Sequence, residues 1–196
     1  MIRIGLIAAL LGAVACTPAI VTSLPQTVRR IAILPPSQRG AVDARTDADN
    51  GLPVLQYMTV GDVLAYQARI RLAEKGFEVL SPSVVKAATK DRVPTSPQMA
   101  AQILHEANLD AVALYIEIRR WEPTPSERGM KADGVIVALD VTMVDPRTGA
   151  ILWQVHRPSR PVPLYGVLLT GQANVFVAKT VMREMLASVK LSQPNG

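Results

Sequence analysis

Two carboxylates stand inside stretches whose apolar residues recur as they do in β-strands: Glu117 in AVALYIEIRRW (111–121) and Asp140 in GVIVALDVTMV (134–144). A pair of acids on neighbouring strands is the minimal equipment for general acid–base catalysis, one carboxyl giving a proton while the other takes one. The plainer reading is that each acid pairs with a nearby arginine or lies at a solvated strand edge, as structural ion pairs commonly do. The doublet Arg119-Arg120 follows Glu117 closely, and we adopt the plainer reading. The acids remain the residues an enzyme would use.

Other chemistry is sparse. The two histidines, His105 and His156, have no second histidine or cysteine at ligand spacing, which argues against a zinc or iron site. Ser81, Ser83 and Ser96 lie beside or near prolines and read as turn or cap residues, not nucleophiles. Neither a glycine-rich phosphate loop nor a dinucleotide fingerprint occurs. We therefore assign no catalytic residue, no cofactor and no metal, and expect a protein that is not an enzyme.

The single cysteine carries a different chemistry. Residues 1–15 have the parts of a secretory signal: Arg3, an uncharged run from Ile4 to Val14, and the small-x-small site Ala13-Val14-Ala15. The run is shorter than the roughly 20 residues that span a bilayer. A cut after Ala15 leaves Cys16 at the new N-terminus. Ordinary signal peptidase would leave a bare thiol there, whereas the lipoprotein route would attach diacylglycerol to it. GAVAC resembles a bacterial lipobox, with Ala13 where leucine is preferred. A lone thiol in an oxidising compartment has no intramolecular partner, so lipidation of Cys16 is the reading we take. Thr17 follows, not the aspartate that resembles an inner-membrane retention signal, which favours an outer-membrane anchor facing the periplasm.

The rest of the chain suits one domain. Hydrophobic residues make up 49% and charged residues 19%, a globular balance. The formal net charge of +5 would raise the question of nucleic acid in a cytoplasmic protein. In an exported one it fits lipid headgroups, peptidoglycan carboxylates or an acidic protein face, so no nucleic-acid partner is expected.

The elements that must position these residues can be read from periodicity. Residues 16–27 form the lipidated cysteine and a tether, 28–190 a single domain, and 191–196 a tail. VRRIAILPP (28–36) is a short strand ended by prolines, and 37–58 a long loop, either functional or a surface insertion. A capped helix runs from Val60 to Lys75, and GFEVL (76–80) is a strand. Short helices follow at 84–89 and from Ser96-Pro97. In the strand of Glu117, Tyr115, Glu117, Arg119 and Trp121 share one face, and Val112, Leu114, Ile116 and Ile118 the other. Asp-Pro-Arg-Thr-Gly (145–149) links strand 134–144 to AILWQVH (150–156) as a hairpin with Gly149 in the left-handed position. RPSRPVPL (157–164) is irregular, and 172–190 is a final helix. The fold class is α/β, a three-layer sandwich on a mixed sheet with an antiparallel C-terminal meander, in the order β-α-β-α-β-β-β-α.

Candidate contact residues are Arg119, Arg120 and Trp121 on the meander, with Tyr57 in the long loop and Tyr165 just after the proline-rich segment, because arginines and aromatics carry much interface energy. Trp121, like Trp153 near His156, equally suits a core lid.

Four stretches together resemble a known family: VRRIAILPP, GFEVLSPSVV (76–85), LDAVALYIEI (109–118) and VTMVDPRTGAILW (141–153). They are similar to the periplasmic core of CsgG-like lipoproteins, which include the curli secretion channel lipoprotein and small relatives of unknown role. The resemblance covers roughly residues 28–190, and its hairpin and first strand are the distinctive parts. It implies an outer-membrane lipoprotein with this sandwich fold, no cofactor and a tendency to assemble. The curli channel also carries long transmembrane hairpins, for which this chain has few spare alternating segments. Similar small lipoproteins activate cell-wall synthases by binding the enzyme. The expected function is a non-enzymatic, outer-membrane-anchored periplasmic module of envelope biogenesis or export. It would bind an envelope protein and could form a homo-oligomer. The alternatives are an envelope enzyme using Glu117 or Asp140, or a subunit of an oligomeric secretion channel.

Overall fold

A computed structural model describes residue 24 and residues 28–39, 58–125, 134–164 and 170–190. Residues 1–15, Cys16, Tyr57, Tyr165 and residues 191–196 lie outside these. The elements in chain order are β1 (Arg30–Ile33), β2 (Ser37–Gln38), α1 (Val60–Glu74), β3 (Glu78–Val79) and α2 (Pro82–Thr89). There follow α3 (Pro97–Glu106), β4 (Val112–Pro123), β5 (Gly134–Val144), β6 (Ile151–Pro163) and α4 (Thr170–Met185). The strands form one mixed sheet in the order β3-β1-β4-β5-β6, with β2 also paired to β4. β1 runs parallel to β3 and β4, whereas β4, β5 and β6 form an antiparallel meander.

Local chemistry caps the first three helices at the residues the sequence suggests. Thr59 Oγ1 accepts from the Asp62 amide at 3.1 Å and Asp62 Oδ2 accepts from the Thr59 amide at 2.9 Å, a reciprocal capping box. Ser81 and Ser96 cap α2 and α3 through the amides of Val84 and Met99. Each is followed by a proline, whose fixed φ suits a first helical turn and whose missing N–H costs nothing there. α2 consequently starts at Pro82, two residues before the sequence expectation. The hairpin turn is closed by Asp145 N to Ala150 O at 2.9 Å, and Gly149 has φ +70°.

The sheet is covered on both faces, which makes three layers. Leu114, Ile116 and Ile118 of β4, with Val137, Leu139, Val141 and Met143 of β5, pack against α1 and α4 through Leu64, Leu72, Val181 and Met182. On the opposite face Ala113, Tyr115 and Val144 pack with Ala32 and Leu34 against α2 and α3 through Val85, Ala100, Ile103 and Leu104. The first layer is the larger, and each fully buried Leu, Ile, Val or Met in it contributes roughly 1.5–3 kcal/mol. α1 is flanked by the sheet and by α4 at once, and Val60, Val63, Leu64, Ala68 and Leu72 are the apolar residues it buries.

Four features depart from the sequence reading. The segment 157–163, expected to be irregular, continues β6. Its prolines are tolerated because β6 is an edge strand, whose outer side needs no donor. Ser37–Gln38, expected in a loop, form β2 against β4. Leu24, expected in the tether, is buried in the same cluster as Val28, so the packed chain starts before residue 28. Finally, the register of β4 shifts between Ile118 and Arg120. That bulge adds one residue and turns Trp121 to the face of Ile118, not to the face of Glu117 and Arg119 as strict alternation had it.

Candidate functional site

The charged residues singled out in the sequence meet on one face of the meander. Glu117, Asp140 and His156 are register partners across β4, β5 and β6. Like charges directly opposite on adjacent strands are destabilising, and each carboxylate here has its own cation. Arg39, just past β2, places Nε 3.0 Å from Glu117 Oε1. Arg119, the bulge residue of β4, places Nε 3.1 Å from Asp140 Oδ2. The side chains of Glu117 and Asp140 are only 11% and 18% exposed, so a carboxylate left alone there would carry a substantial desolvation cost.

His156 joins this group from β6. Its Nδ1 lies 2.5 Å from Asp140 Oδ1. Arg119 Nη2 lies 2.7 Å from His156 Nδ1 and 3.1 Å from Nε2, and also donates to the Arg157 carbonyl at 3.3 Å. A consistent donor pattern has His156 Nδ1–H donating to Asp140 and Nε2 accepting from Arg119. Beneath Glu117, Tyr115 Oη and Ser37 Oγ are 2.8 Å apart. Burial pushes the Tyr115 phenol above its ordinary range, opposed by the Ser37 hydrogen bond and reinforced by the charge of Glu117. This contact fastens β2 to the sheet and brings Arg39 over Glu117.

Both candidate acids are therefore held by arginines in one ionic cluster, in which Arg119 Nε meets Asp140 by charge without a hydrogen bond. As chemistry it can orient a charged surface. Among the described residues no group of three or more His, Cys, Asp and Glu side chains could hold a metal ion. Arg120 is engaged by Glu122 on its own strand and donates to Ser159 Oγ of β6 at 3.2 Å. Trp121 is in the core under α4, its indole N–H donating to Asn174 Oδ1 at 3.1 Å. Trp153 is likewise buried, on the face opposite His156. The structure thus brings Arg119, Glu117 and Asp140 together and takes Trp121 away from them. Tyr57 and Tyr165 lie outside the described residues.

Two participants were not found in the sequence. His156 faces Asp140 only because Leu152 is an extra residue between the pairs Val144–Ile151 and Met143–Trp153. Counting back from the turn without that bulge would place Val155 there. Arg157, at the start of the segment expected to be irregular, is 6% exposed. Its Nη1 donates to the Val137 carbonyl at 2.6 Å and the Arg160 carbonyl at 3.1 Å, and its Nε to Glu184 Oε2 of α4 at 3.3 Å. It staples the widened part of β6 to β5 and α4.

Among the described residues no helix is long and apolar enough to cross a membrane. No protein-family model matches the chain, and no curated protein sequence does. Solved structures do. The PelC dodecamer of Paraburkholderia phytofirmans is similar over 88% of this chain and 96% of its own, with a TM-score of 0.50 and 14% identity. Lipoprotein GNA1162 of Neisseria meningitidis matches over 79% of this chain and 96% of its own, with a TM-score of 0.47 and 18% identity. The C-terminal domain of LpoB from Salmonella enterica matches over 75% and 88%, with a TM-score of 0.41 and 13% identity. At these identities the likeness to PelC is one of fold: the chain is an α/β domain of the architecture that this small bacterial protein uses.

Proposed function

We propose that the chain is a non-enzymatic lipoprotein module, anchored through Cys16 in the outer membrane and facing the periplasm, that assists envelope biogenesis or export by binding protein. The observation that carries this reading is the state of Glu117 and Asp140. The two acids that catalysis would need are each tied to an arginine, which supports a domain that acts by presenting surface. The leader followed by a unique cysteine supports the anchor. The resemblance to CsgG-like lipoproteins and the fold shared with PelC, a dodecamer, support association with an envelope partner or with further copies of the chain.

Fractionation and cross-linking test this. Wild-type protein is expected in the membrane fraction, with a diacylglycerol-modified Cys16 by mass spectrometry, and Cys16→Ser is expected to be released or left uncut. Soluble wild type with a free thiol ends the lipoprotein reading. For partner capture, residues 40–52 are deleted and Arg39 is kept, because its pair with Glu117 belongs to the fold. The deletion is expected to keep the melting temperature and lose the cross-linked complexes. Unchanged complexes would show that this segment takes no part.

The Asp140–His156 contact favours one rival, an envelope enzyme in which His156 is the base and Asp140 its orienting partner. A turnover lost in both Asp140→Asn and His156→Gln, with the fold retained, would replace the module by that enzyme.

A further inference from the structure

A cleft of about 380 Å³ opens at the end of the sheet where β1 and β4 begin and the β5–β6 turn lies beside them. Its volume is that of a small-molecule site. Three arginines line it, Arg29, Arg30 and Arg147, and the apolar part of the lining includes Val28, Val112 and Leu152. The two acids in the lining are already engaged. Both oxygens of Asp145 accept from its own turn, from the Arg147 amide at 2.8 Å and Thr148 Oγ1 at 3.0 Å. Asp110 Oδ1 accepts from Arg147 Nη2 at 2.9 Å on the surface. Arg30 is bridged to Glu78 at 3.0 Å. Arg29 has no ion-pair partner among the described residues. The lining thus sets three guanidinium charges against two carboxylates, with Arg29 outside any ion pair among the described residues, next to apolar surface.

A guanidinium is planar, always charged and suited to gripping two oxygens of one phosphate. Apolar residues beside it would be idle against a free anion, but they match the glycerol and first methylenes of a phospholipid. Position points the same way. The cleft is lined by Val28 and Arg29, near the N-terminal side of the domain. Leu24 packs into the core just upstream. From Cys16 to Leu24 an extended chain reaches at most about 29 Å, so an anchored domain carries this cleft close to the headgroups.

We infer that this cleft binds the phosphate of a membrane phospholipid headgroup and so orients the domain against the membrane that anchors it. The inference rests on the anchored reading of Cys16, yet its test does not need the anchor. The purified full chain is titrated calorimetrically with dihexanoyl phosphatidylglycerol below its micelle concentration, and separately with inorganic phosphate. Saturable binding of the short-chain lipid is expected, at least tenfold tighter than phosphate. Arg29→Glu is expected to weaken it at least tenfold without moving the melting temperature, and Arg147→Ala to weaken it less. Lys179→Glu, the same charge change on α4 outside the cleft, is expected to leave it unchanged. Phosphate bound as tightly as the lipid overturns the membrane source. Absent saturation, or equal binding by Arg29→Glu and wild type, overturns the site. A free thiol at Cys16 would fail the anchor and leave this titration standing on its own result.

Discussion

Asp140 and His156 meet across β5 and β6 with Oδ1 and Nδ1 2.5 Å apart, and Arg119 reaches both of them from β4. Three strands are tied by one cluster, at the point where the sheet leaves the cover of α2 and α3.

Replacing Asp140 by alanine leaves Arg119 and His156 without their shared acceptor. Arg119 is more than a third exposed, so solvent screens the loss, and the destabilisation is expected at about 1 kcal/mol. Adding Arg119→Met should cost little more than the single change, because the two residues act as a pair. Urea unfolding of the two single variants and the double variant measures this. Strict additivity would show that the pair contributes no coupling.

Arg157→Ala should be the more damaging change. Arg157 is 6% exposed and donates to the Val137 and Arg160 carbonyls. Losing a buried donor with several acceptors costs on the order of 1–3 kcal/mol. The lower unfolding midpoint is expected to be matched by faster amide exchange in residues 157–163, since the staple holds this part of the edge strand. Uniform exchange rates across β6 would argue against that role.

Gly149 tests the turn. With φ +70° and nothing within 4 Å of a Cβ placed there, a side chain meets no steric obstacle, and the whole penalty lies in the backbone. Gly149→Val is expected to cost about 1 kcal/mol or more, and Gly149→Asn clearly less, because asparagine tolerates the left-handed region. Equal melting temperatures for the two variants would contradict a backbone origin.

Tyr115 predicts an alkaline limit. Its folded phenol is raised above the ordinary tyrosine range, chiefly by burial. Below the unfolded pKa both states hold the proton and stability is unaffected. As pH rises past about 10, the unfolded chain releases the proton while the fold retains it. Native stability therefore falls with pH until the folded phenol also ionises. Tyr115→Phe is expected to flatten this fall, at the cost of the Ser37 contact at neutral pH. Denaturation at pH 9 and pH 11, with the tyrosinate absorbance followed in parallel, checks both statements.

Legibility in the sequence followed the range of the interactions. Thr59 with Asp62, Ser81 with Pro82, and Ser96 with Pro97 start helices through contacts within three residues, so their spelling suffices. The same holds for Asp145 to Gly149, where turn chemistry is local. The strand cores of β4 and β5 were legible because alternation is imposed by the pleat itself.

By itself, therefore, the sequence determined the α/β class, the caps of the first three helices, the hairpin and the pairing of the two acids with arginines as a type of contact. Only the tertiary structure decided which residues those are. A single extra residue in a strand reverses the facing of everything beyond it, and the bulges at Arg119 and Leu152 put Trp121 in the core and His156 against Asp140. Nothing local announces those bulges, since they settle the register between strands that are distant in the chain. Arg157 became a core staple because α4, folded back from the C-terminal end, supplies Glu184 above it. Arg39 found Glu117 because Ser37 reached Tyr115 across the sheet.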